Sequence, residues 1–334
     1  MKEGIEIKKP PILFDKTQEI INSIAKLSKG DFISYWVSSN GRIVGEDLIV
    51  FYDVIKNNKI QHDTLYLFIK SEGGSGEASL RIINLFRQFY KKIIAYVPLD
   101  CASAATMLVL GADIIKMGPL SYLSAIDTSI THDLSPLDRY DGLVSVSQNE
   151  LSRVINQWDQ KKQSKDLNPY VEVYKYIHPL VIGAVDRATS LSIKITTDIL
   201  SYHMLDKSAA EKISNCLNSD YPSHSFPITY KEAQTLGLNV EVLDTKINDL
   251  LLKLNEQYSE MAQLAYTDYD QENFHDNEIL KVIEGFGIQL YYQKDKDMHY
   301  RSEEKRWIPT NDESSWRKID KSGEMNEPSV FHIR

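Results

Sequence analysis

Two short stretches of small residues have the composition of an acyl-transfer site. The first is the glycine-rich run from Gly73 to Gly76, where glycines permit sharp turns and leave backbone N–H groups uncovered for an oxyanion. The second is residues 100–106 (DCASAAT), in which small residues flank Ser103. Such a serine offers its hydroxyl as a nucleophile and the next backbone N–H, that of Ala104, as an oxyanion donor. Taken alone, each stretch has a simpler explanation: a tight turn for the first and a helix N-cap for the second.

The elements that must position these residues are strands that precede them and helices that follow. Residues 64–69 (TLYLFI) predict a buried strand before the glycine turn, and residues 93–97 (IIAYV) predict a strand before the serine turn. Ligands bind at the carboxyl ends of parallel strands, so the two turns are expected to face each other at one sheet edge. Together they would place a nucleophile and backbone donors around one carbonyl, which favours acyl transfer.

The wider pattern predicts an α/β fold. Strands at 32–37, 64–69, 93–97 and 113–117 alternate with helices at 46–56, 77–90 and 102–111, as in parallel β-α-β units. From residue 148 the chain is mostly helical; the periodicity predicts helices at 149–165, 171–203, 207–217, 229–236 and 245–266, with a short strand at 239–243. Beyond residue 268 the chain is acidic and aromatic, which indicates a small accessory module or a partly ordered extension.

Composition restricts the function classes. The chain has 334 residues and a net charge of -9, which argues against a protein that binds nucleic acid through phosphates. No apolar run is long enough to span a membrane, and the first ten residues lack the apolar stretch of a secretory signal, so we expect a cytoplasmic protein. Two cysteines cannot build a disulfide framework. The pairs His132-Asp133 and His275-Asp276 lack ligand spacing and are interpreted as exposed turns, so no metal and no cofactor are expected.

Several short segments, taken together, carry a family resemblance. In chain order they are 72–78 (EGGSGEA), 97–98 (VP), 102–106 (ASAAT), 117–119 (MGP), 126–127 (ID), 177–187 (IHPLVIGAVDR), 218–229 (NSDYPSHSFPIT), 232–233 (EA) and 236–238 (LGL). This pattern resembles the Clp-fold serine peptidases. Among them it is most similar to the serine dehydrogenase proteinase (SDH) family, which is related to signal peptide peptidase A and to the Clp proteolytic subunit. The resemblance covers roughly residues 30 to 255.

The resemblance implies a ClpP/crotonase-like spiral of ββα units, with a helical C-terminal half and a small accessory tail. Its boundaries would be an N-terminal extension at 1–29, a peptidase domain at 30–266 and an accessory C-terminal module at 267–334. Ser103 would be the nucleophile, and the oxyanion hole would be formed by Gly73, Gly74 and Ala104. Two departures from the family pattern stand out: Ala105 replaces the usual glycine, and residues 124–125 read Ser-Ala where Gly-Pro is usual.

The general base is not fixed by the resemblance. A serine hydroxyl needs a proton acceptor within hydrogen-bond reach. The Clp proteolytic subunit uses a histidine in the neighbourhood that here reads Ile126-Asp127-Thr128, and signal peptide peptidase A uses a lysine. Three solutions stay open. His224 could be the base with Asp127 orienting it, there could be no base at all, or a lysine could serve, for which the candidates are Lys161, Lys162, Lys165 and Lys194.

The leading hypothesis is a serine endopeptidase that forms an acyl-enzyme on Ser103. The alternative is a catalytically inactive Clp-fold module that binds or regulates without cutting. A third hypothesis is a crotonase-type acyl-CoA enzyme, since two backbone donors also suit an enolate; it needs a basic site for the adenine phosphate, which the sequence does not clearly contain. We expect a polypeptide substrate and a homo-oligomer, with residues 171–204 as a candidate contact surface. A membrane protein as substrate or partner stays open.

Overall fold

A computed structural model of the chain describes residues 6–57, 62–140, 142–161, 168–320 and 328–333, without the side chains of residues 159 and 161. Its contacts divide the chain into two units. Unit 1 combines the residues up to Leu123 with those from Thr229 onward, and unit 2 runs from Ser124 to Ile228. Both predicted boundaries, after residue 29 and after residue 266, lie inside unit 1.

The elements follow one another along the chain in three segments. The first segment of unit 1 contains α1 (Phe14–Ser28), β1 (Asp31–Val37), α2 (Asp47–Asn57), β2 (Thr64–Lys70), α3 (Gly76–Phe89), β3 (Lys92–Val97), β4 (Asp100–Cys101), α4 (Ala104–Val109), β5 (Ile114–Met117) and β6 (Tyr122–Leu123). Unit 2 contains β7 (Ser129–Ile130), β8 (Val146–Ser147), α5 (Gln148–Lys161), α6 (Pro169–Val173), α7 (Pro179–Leu200) and α8 (Lys207–Ser219). The second segment of unit 1 contains α9 (Tyr230–Thr235), β9 (Val240–Val242), α10 (Thr245–Met261), β10 (Ala265–Asp268), β11 (Asn273–Gly285), β12 (Ile288–Arg301), β13 (Arg306–Asp312), β14 (Ser315–Asp320) and β15 (Ser329–Phe331).

Unit 1 is built on a large mixed sheet, which confirms the α/β prediction. Among the described strands its order is β15-β14-β12-β11-β1-β2-β3-β5-β9, with β10 paired to β11 and β13 paired to β12. Strands β1, β2, β3, β5 and β9 are parallel, as the strand–helix alternation predicted. Strand β11 runs antiparallel to β1, in a register that pairs Ser34 with Glu284. The predicted spiral of ββα units stays a prediction.

Buried strands and aromatic packing explain why this part of the chain folds as a layered α/β structure. Every residue of β1 is buried, as expected of a strand covered on both faces. The ring of Tyr35 in β1 lies edge-on to Phe51 in α2 at 5.0 Å between ring centres, and Phe51 meets Phe86 in α3 at the same distance. Such edge-to-face pairs add to the stabilisation from apolar burial. The helices α2 and α3 are thereby fixed relative to the strand that they cover.

The C-terminal stretch forms strands of the main sheet and was not predicted to do so. Strands β11 and β12 pair over most of their length, and β11 joins this hairpin to β1. Cross-strand ion pairs accommodate the high charge of these strands: Lys294 pairs with Asp276, and Lys296 pairs with Asp312 at 2.8 Å. The predicted helix over 245–266 ends at Met261, and its last residues form β10 instead.

Unit 2 has a small core of its own, made by Val146, Leu151, Val181 and Val185. The predicted helix over 171–203 is interrupted after Val173, and α7 begins at Pro179. His178 is the N-cap of α7, and its side chain accepts a hydrogen bond from the N–H of Leu180 at 3.2 Å. The predicted helix over 149–165 corresponds to α5, and its last residues lie outside the described part of the chain. Among the described helices, none combines the length and the hydropathy needed to span a bilayer.

Candidate active site

Ser103 lies between β4 and α4 in a strained backbone conformation. Its φ of 53° and ψ of -121° lie outside the regions that non-glycine residues usually occupy. Although Ser103 holds the N-cap position of α4, its side chain makes no capping hydrogen bond, so the simpler explanation as a helix cap is wrong. The residue is partly exposed, while Ala104, Ala105 and the rest of α4 are buried. Strain of this kind concentrates at functional sites, because the surrounding structure must impose it.

The glycine turn lies directly against Ser103. Both Gly73 (φ 118°) and Gly74 (φ 148°) have positive φ angles that side chains disfavour. A Cβ on Gly73 would lie 2.7 Å from the Cβ of Ser103 and 3.1 Å from its Oγ. Backbone hydrogen bonds join the two turns: Ser71 N–H donates to Asp100 at 3.1 Å, and Ala102 N–H donates back to Ser71 at 2.9 Å. The predicted convergence of the two turns is therefore present in unit 1.

The amide groups of the glycine turn differ in what they can donate. The N–H of Gly73 donates to Ser71 Oγ at 3.0 Å, so this group is already used within the turn. Ile43 N–H donates to the carbonyl of Gly73 at 2.9 Å. Since N–H and C=O point in opposite directions across a trans peptide, this bond turns the N–H of Gly74 away from Ile43. Within the described part of the chain, the N–H groups of Gly74 and Ala104 have no hydrogen-bond acceptor, and they are the two candidate oxyanion donors.

The thiol of Cys101, which lies close to Ser103 in the chain, is not a competing nucleophile. Cys101 is fully buried, and burial, reinforced by the charge of Asp100, raises the pKa of its thiol well above the usual value. A protonated, buried thiol is a poor nucleophile. Asp100 is itself paired with Lys70 at 3.4 Å, and the ammonium of Lys70 also lies 5.4 Å from the ring centre of Trp36. Among these groups only the hydroxyl of Ser103 combines partial exposure with an adjacent candidate oxyanion hole.

In unit 2, His224 and Asp127 form a hydrogen-bonded pair. Nδ1 of His224 lies 2.7 Å from Oδ1 of Asp127, with the imidazole 49% exposed and the carboxylate 13% exposed. The hydrogen bond to Asp127 raises the pKa of His224 above its usual value of 6.5. The carboxylate favours the tautomer that carries its proton on Nδ1, which leaves Nε2 as a proton acceptor. The structure thus brings together the two residues that the sequence proposed as base and orienting group, 97 positions apart.

The lysines proposed as alternative bases are described only in part. Lys194 lies on the exposed face of α7 and donates to both oxygens of Asp198 at 2.5 Å, so its ammonium is engaged in a surface ion pair. Lys161 is the last residue of α5, and its side chain lies outside the description. Lys162 and Lys165 lie outside the described residues.

A cavity of about 400 Å³ in unit 2 borders the His224–Asp127 pair. Its other lining residues come mostly from the first turns of α5 and from the segments around β7 and β8. They include Ser147, Asn149, Glu150 and Arg153. Arg153 has no signal in the sequence, because a single arginine in a helical pattern is normally a solvated surface residue.

The metal-site prediction concerned two His-Asp pairs. Across the described residues, no group of three histidine, cysteine or acidic side chains is placed to hold a metal ion. The interpretation of His275 as an exposed turn residue is wrong: it is 5% exposed within β11 and lies between Asp297 at 2.9 Å and Asp295 at 3.3 Å. His132 lies in a turn, where its Nδ1 accepts from the N–H of Leu134 at 3.1 Å.

Comparison with known proteins gives a structural likeness but no sequence match. No known family matches the chain, and no curated protein matches its sequence. Among solved structures, the chain is similar to a mutant of the 1510-N membrane-bound stomatin-specific protease, with 15% identity, a TM-score of 0.39, and coverage of 67% of this chain and 81% of the other. A likeness at this level does not assign the chain to a family.

Proposed function

We propose that the chain is a serine peptidase of the Clp-fold, SDH-like type, which hydrolyses peptide bonds through an acyl-enzyme on Ser103. The contact between Gly73 and Ser103 is the observation that carries this proposal, since it brings a strained serine against a turn with positive φ angles. In the first step Ser103 Oγ attacks the peptide carbonyl, and the carbonyl oxygen becomes an oxyanion. Backbone N–H donors that stabilise such an oxyanion are worth roughly 3 to 4 kcal/mol each in the transition state.

The proposed oxyanion donors are the N–H groups of Gly74 and Ala104. The peptide that carries the N–H of Ala104 is fixed through the carbonyl of Ser103, which accepts from Met107 N–H at 3.1 Å, and the peptide between Gly73 and Gly74 is fixed by its bond to Ile43. Donors that are held before the reaction need not reorganise as negative charge develops, which is the main source of electrostatic catalysis. The methyl group of Ala105 is buried within α4, so it does not lie on the exposed side of the turn.

We propose His224 as the general base and Asp127 as its orienting group. A neutral imidazole would take the proton of the Ser103 hydroxyl at Nε2 and then deliver it to the leaving amine. A water molecule would next be deprotonated in the same way and would hydrolyse the acyl-enzyme. The support for this role is the formed Asp127–His224 hydrogen bond, which is the arrangement that orients a catalytic imidazole.

A fluorophosphonate probe tests the nucleophile directly. We expect covalent labelling of the wild type, loss of labelling in Ser103→Ala, and full labelling of the control Ser23→Ala, which changes a partly exposed serine of α1. Equal labelling of wild type and Ser103→Ala would remove Ser103 from the mechanism. Absence of labelling, together with stoichiometric capture of intact peptides, would instead support the inactive binding module.

We also propose that the protein forms a homo-oligomer and acts on polypeptides in the cytoplasm, with a membrane protein as one class of substrate. Large exposed apolar side chains in unit 2 support the oligomer; examples are Leu137 at 60%, Tyr140 at 75%, Tyr176 at 77% and Leu180 at 62% exposure. Two of these, Tyr176 and Leu180, lie within the predicted contact stretch, 171–204. Light scattering at micromolar concentration is expected to show an assembly, and a monomer would contradict the proposal.

A further inference from the structure

The cavity beside the His224–Asp127 pair is lined by four groups that can carry charge. These are Asp127, Glu150, Arg153 and His224. A polar cavity of about 400 Å³ has room for the side chain or the terminal group of a peptide. Which chemical class it accepts depends on which of the four groups are already paired within unit 2.

The two acidic groups are already hydrogen-bonded to partners inside unit 2. Asp127 is hydrogen-bonded to His224 at 2.7 Å. Glu150 is part of a capping box at the start of α5: its Oε2 accepts from the N–H of Ser147 at 3.3 Å and from Ser147 Oγ at 3.1 Å, while Ser147 Oγ accepts from the N–H of Glu150 at 3.2 Å. Each carboxylate therefore already uses one of its two oxygens inside unit 2.

On the cationic side of the cavity, the guanidinium of Arg153 is less fully paired. Arg153 donates through Nε to Asn149 Oδ1 at 2.8 Å, and no carboxylate pairs with its guanidinium in the described part of the chain. Guanidinium groups bind carboxylates through two parallel N–H bonds, and these charge-assisted bonds are stronger than neutral ones. The first turn of α5 also lines the cavity, and the amino end of a helix favours negative charge.

We infer that this cavity binds a carboxylate group of the polypeptide substrate, with Arg153 as the recognition residue. Both an acidic side chain and the C-terminal carboxylate of a peptide carry this group. That the bound polypeptide is a substrate rests on the proposed peptidase function, whereas the carboxylate site itself depends only on unit 2. It assigns Arg153 a role in specificity and not in the chemical steps.

Calorimetric titration of the full-length Ser103→Ala protein with four hexapeptides tests the inference. The peptides share one sequence and differ in two features: a free or amidated C-terminus, and glutamate or glutamine at one position. We expect a peptide with a correctly placed carboxylate to bind at least tenfold more tightly than the amidated glutamine peptide. A charge-assisted bond pair of about 1.5 kcal/mol or more corresponds to that ratio. Comparison of the two singly charged peptides identifies whether the side chain or the terminus is recognised.

Changes at Arg153 provide the decisive comparison. Arg153→Gln is expected to abolish the preference for the carboxylate, and Arg153→Lys to retain a reduced preference because the charge remains without the planar fork. Arg187→Gln, an exposed arginine on α7 that does not line the cavity, is expected to leave the preference intact. Far-ultraviolet circular dichroism and urea unfolding of each variant establish that it is folded.

The possible outcomes separate this inference from the proposed function. Equal affinity for charged and neutral peptides, absence of binding to all four, or a preference that survives in folded Arg153→Gln would overturn the carboxylate site. Fluorophosphonate labelling of Ser103 without a carboxylate preference would leave the peptidase proposal standing alone. A carboxylate preference that depends on Arg153, in a protein whose Ser103 is not labelled, would establish the site and reject the peptidase.

Discussion

Replacement of Glu284 by glutamine tests how burial controls an ionisable group in the core of unit 1. Glu284 lies in β11 and is fully buried, and it forms no ion pair among the described residues. Its Oε1 accepts from Thr17 Oγ1 at 2.7 Å and from Gln18 Nε2 at 2.6 Å. Its Oε2 accepts from Tyr258 at 2.8 Å and from Gln289 Nε2 at 2.7 Å. The carboxyl group therefore links α1, α10, β11 and β12.

The size of the effect follows from the pKa of this group. Burial raises the pKa of Glu284 from 4.5 to about 7, although the four hydrogen bonds oppose that change. The difference, at about 1.4 kcal/mol per pKa unit, corresponds to about 3 kcal/mol. The two hydroxyl partners can accept a hydrogen bond from the protonated acid, since Thr17 Oγ1 is also 2.9 Å from the carbonyl of Phe14 and the Tyr258 hydroxyl is 2.7 Å from Ser34 Oγ. The neutral acid is thus compatible with the same contacts.

The sign of the pH dependence is fixed by which state binds the proton more tightly. The folded protein holds the proton of Glu284 more strongly than the unfolded chain does, so this contribution to stability is complete below pH 4.5 and is lost as the pH rises through about 7. Glutamine carries no titrating proton. The free energy of unfolding of the wild type, relative to that of Glu284→Gln, is therefore expected to fall by about 3 kcal/mol between about pH 4.5 and pH 8.

Urea unfolding monitored by tryptophan fluorescence across this pH range measures the difference. Glu19→Gln, which changes an exposed carboxylate of α1, is the matched control and is expected to follow the wild-type profile. The reasoning would be refuted if the difference between wild type and Glu284→Gln were constant to within about 1 kcal/mol, or if it changed in the opposite direction.

Three further predictions concern the serine turn, the acid–imidazole pair and a buried ion pair. Gly73→Ala places a methyl group 2.7 Å from the Cβ of the candidate nucleophile, so we expect it to abolish fluorophosphonate labelling while urea unfolding still shows a folded protein. Asp127→Asn removes the group that raises the pKa of His224, so the acidic limb of kcat/KM is expected to shift to lower pH; an unchanged limb would exclude His224 as the base. Asp47→Asn leaves the ammonium of Lys281, now 2.5 Å from the carboxylate, buried without its counter-charge, and should lower the free energy of unfolding by about 3 to 5 kcal/mol in urea titrations.

The glycine turn and the serine turn could be predicted from the sequence because their signals are local. Glycines at 73 and 74 and small residues around Ser103 specify sharp turns whatever lies elsewhere in the chain. The regular alternation of buried strands and amphipathic helices then places both turns at the carboxyl ends of neighbouring parallel strands. Their contact follows from topology, and the structure shows it directly at Gly73.

The C-terminal strands could not be predicted because their stabilising partners lie on other strands, beyond the range of a local sequence pattern. Residues 293–301 (QKDKDMHYR) have the charge of an exposed segment, and only the opposite strands supply the counter-charges. Glu284 illustrates the same limit, since its donors lie at positions 17, 18, 258 and 289. By contrast, the break before α7 did have a local signal: Pro179 disfavours helix at the residue before it and is well suited to a first helical turn.

The pairing of β1 with β11 has a consequence for how the protein is made. Ser34 and Glu284 are cross-strand neighbours, yet 250 residues separate them. During synthesis one edge of β1 therefore stays uncovered until most of the polypeptide has left the ribosome, and a bare strand edge is a template for aggregation. A fragment that stops before residue 273 would carry both turns of the candidate active site, yet it is expected to need a chaperone, or to precipitate.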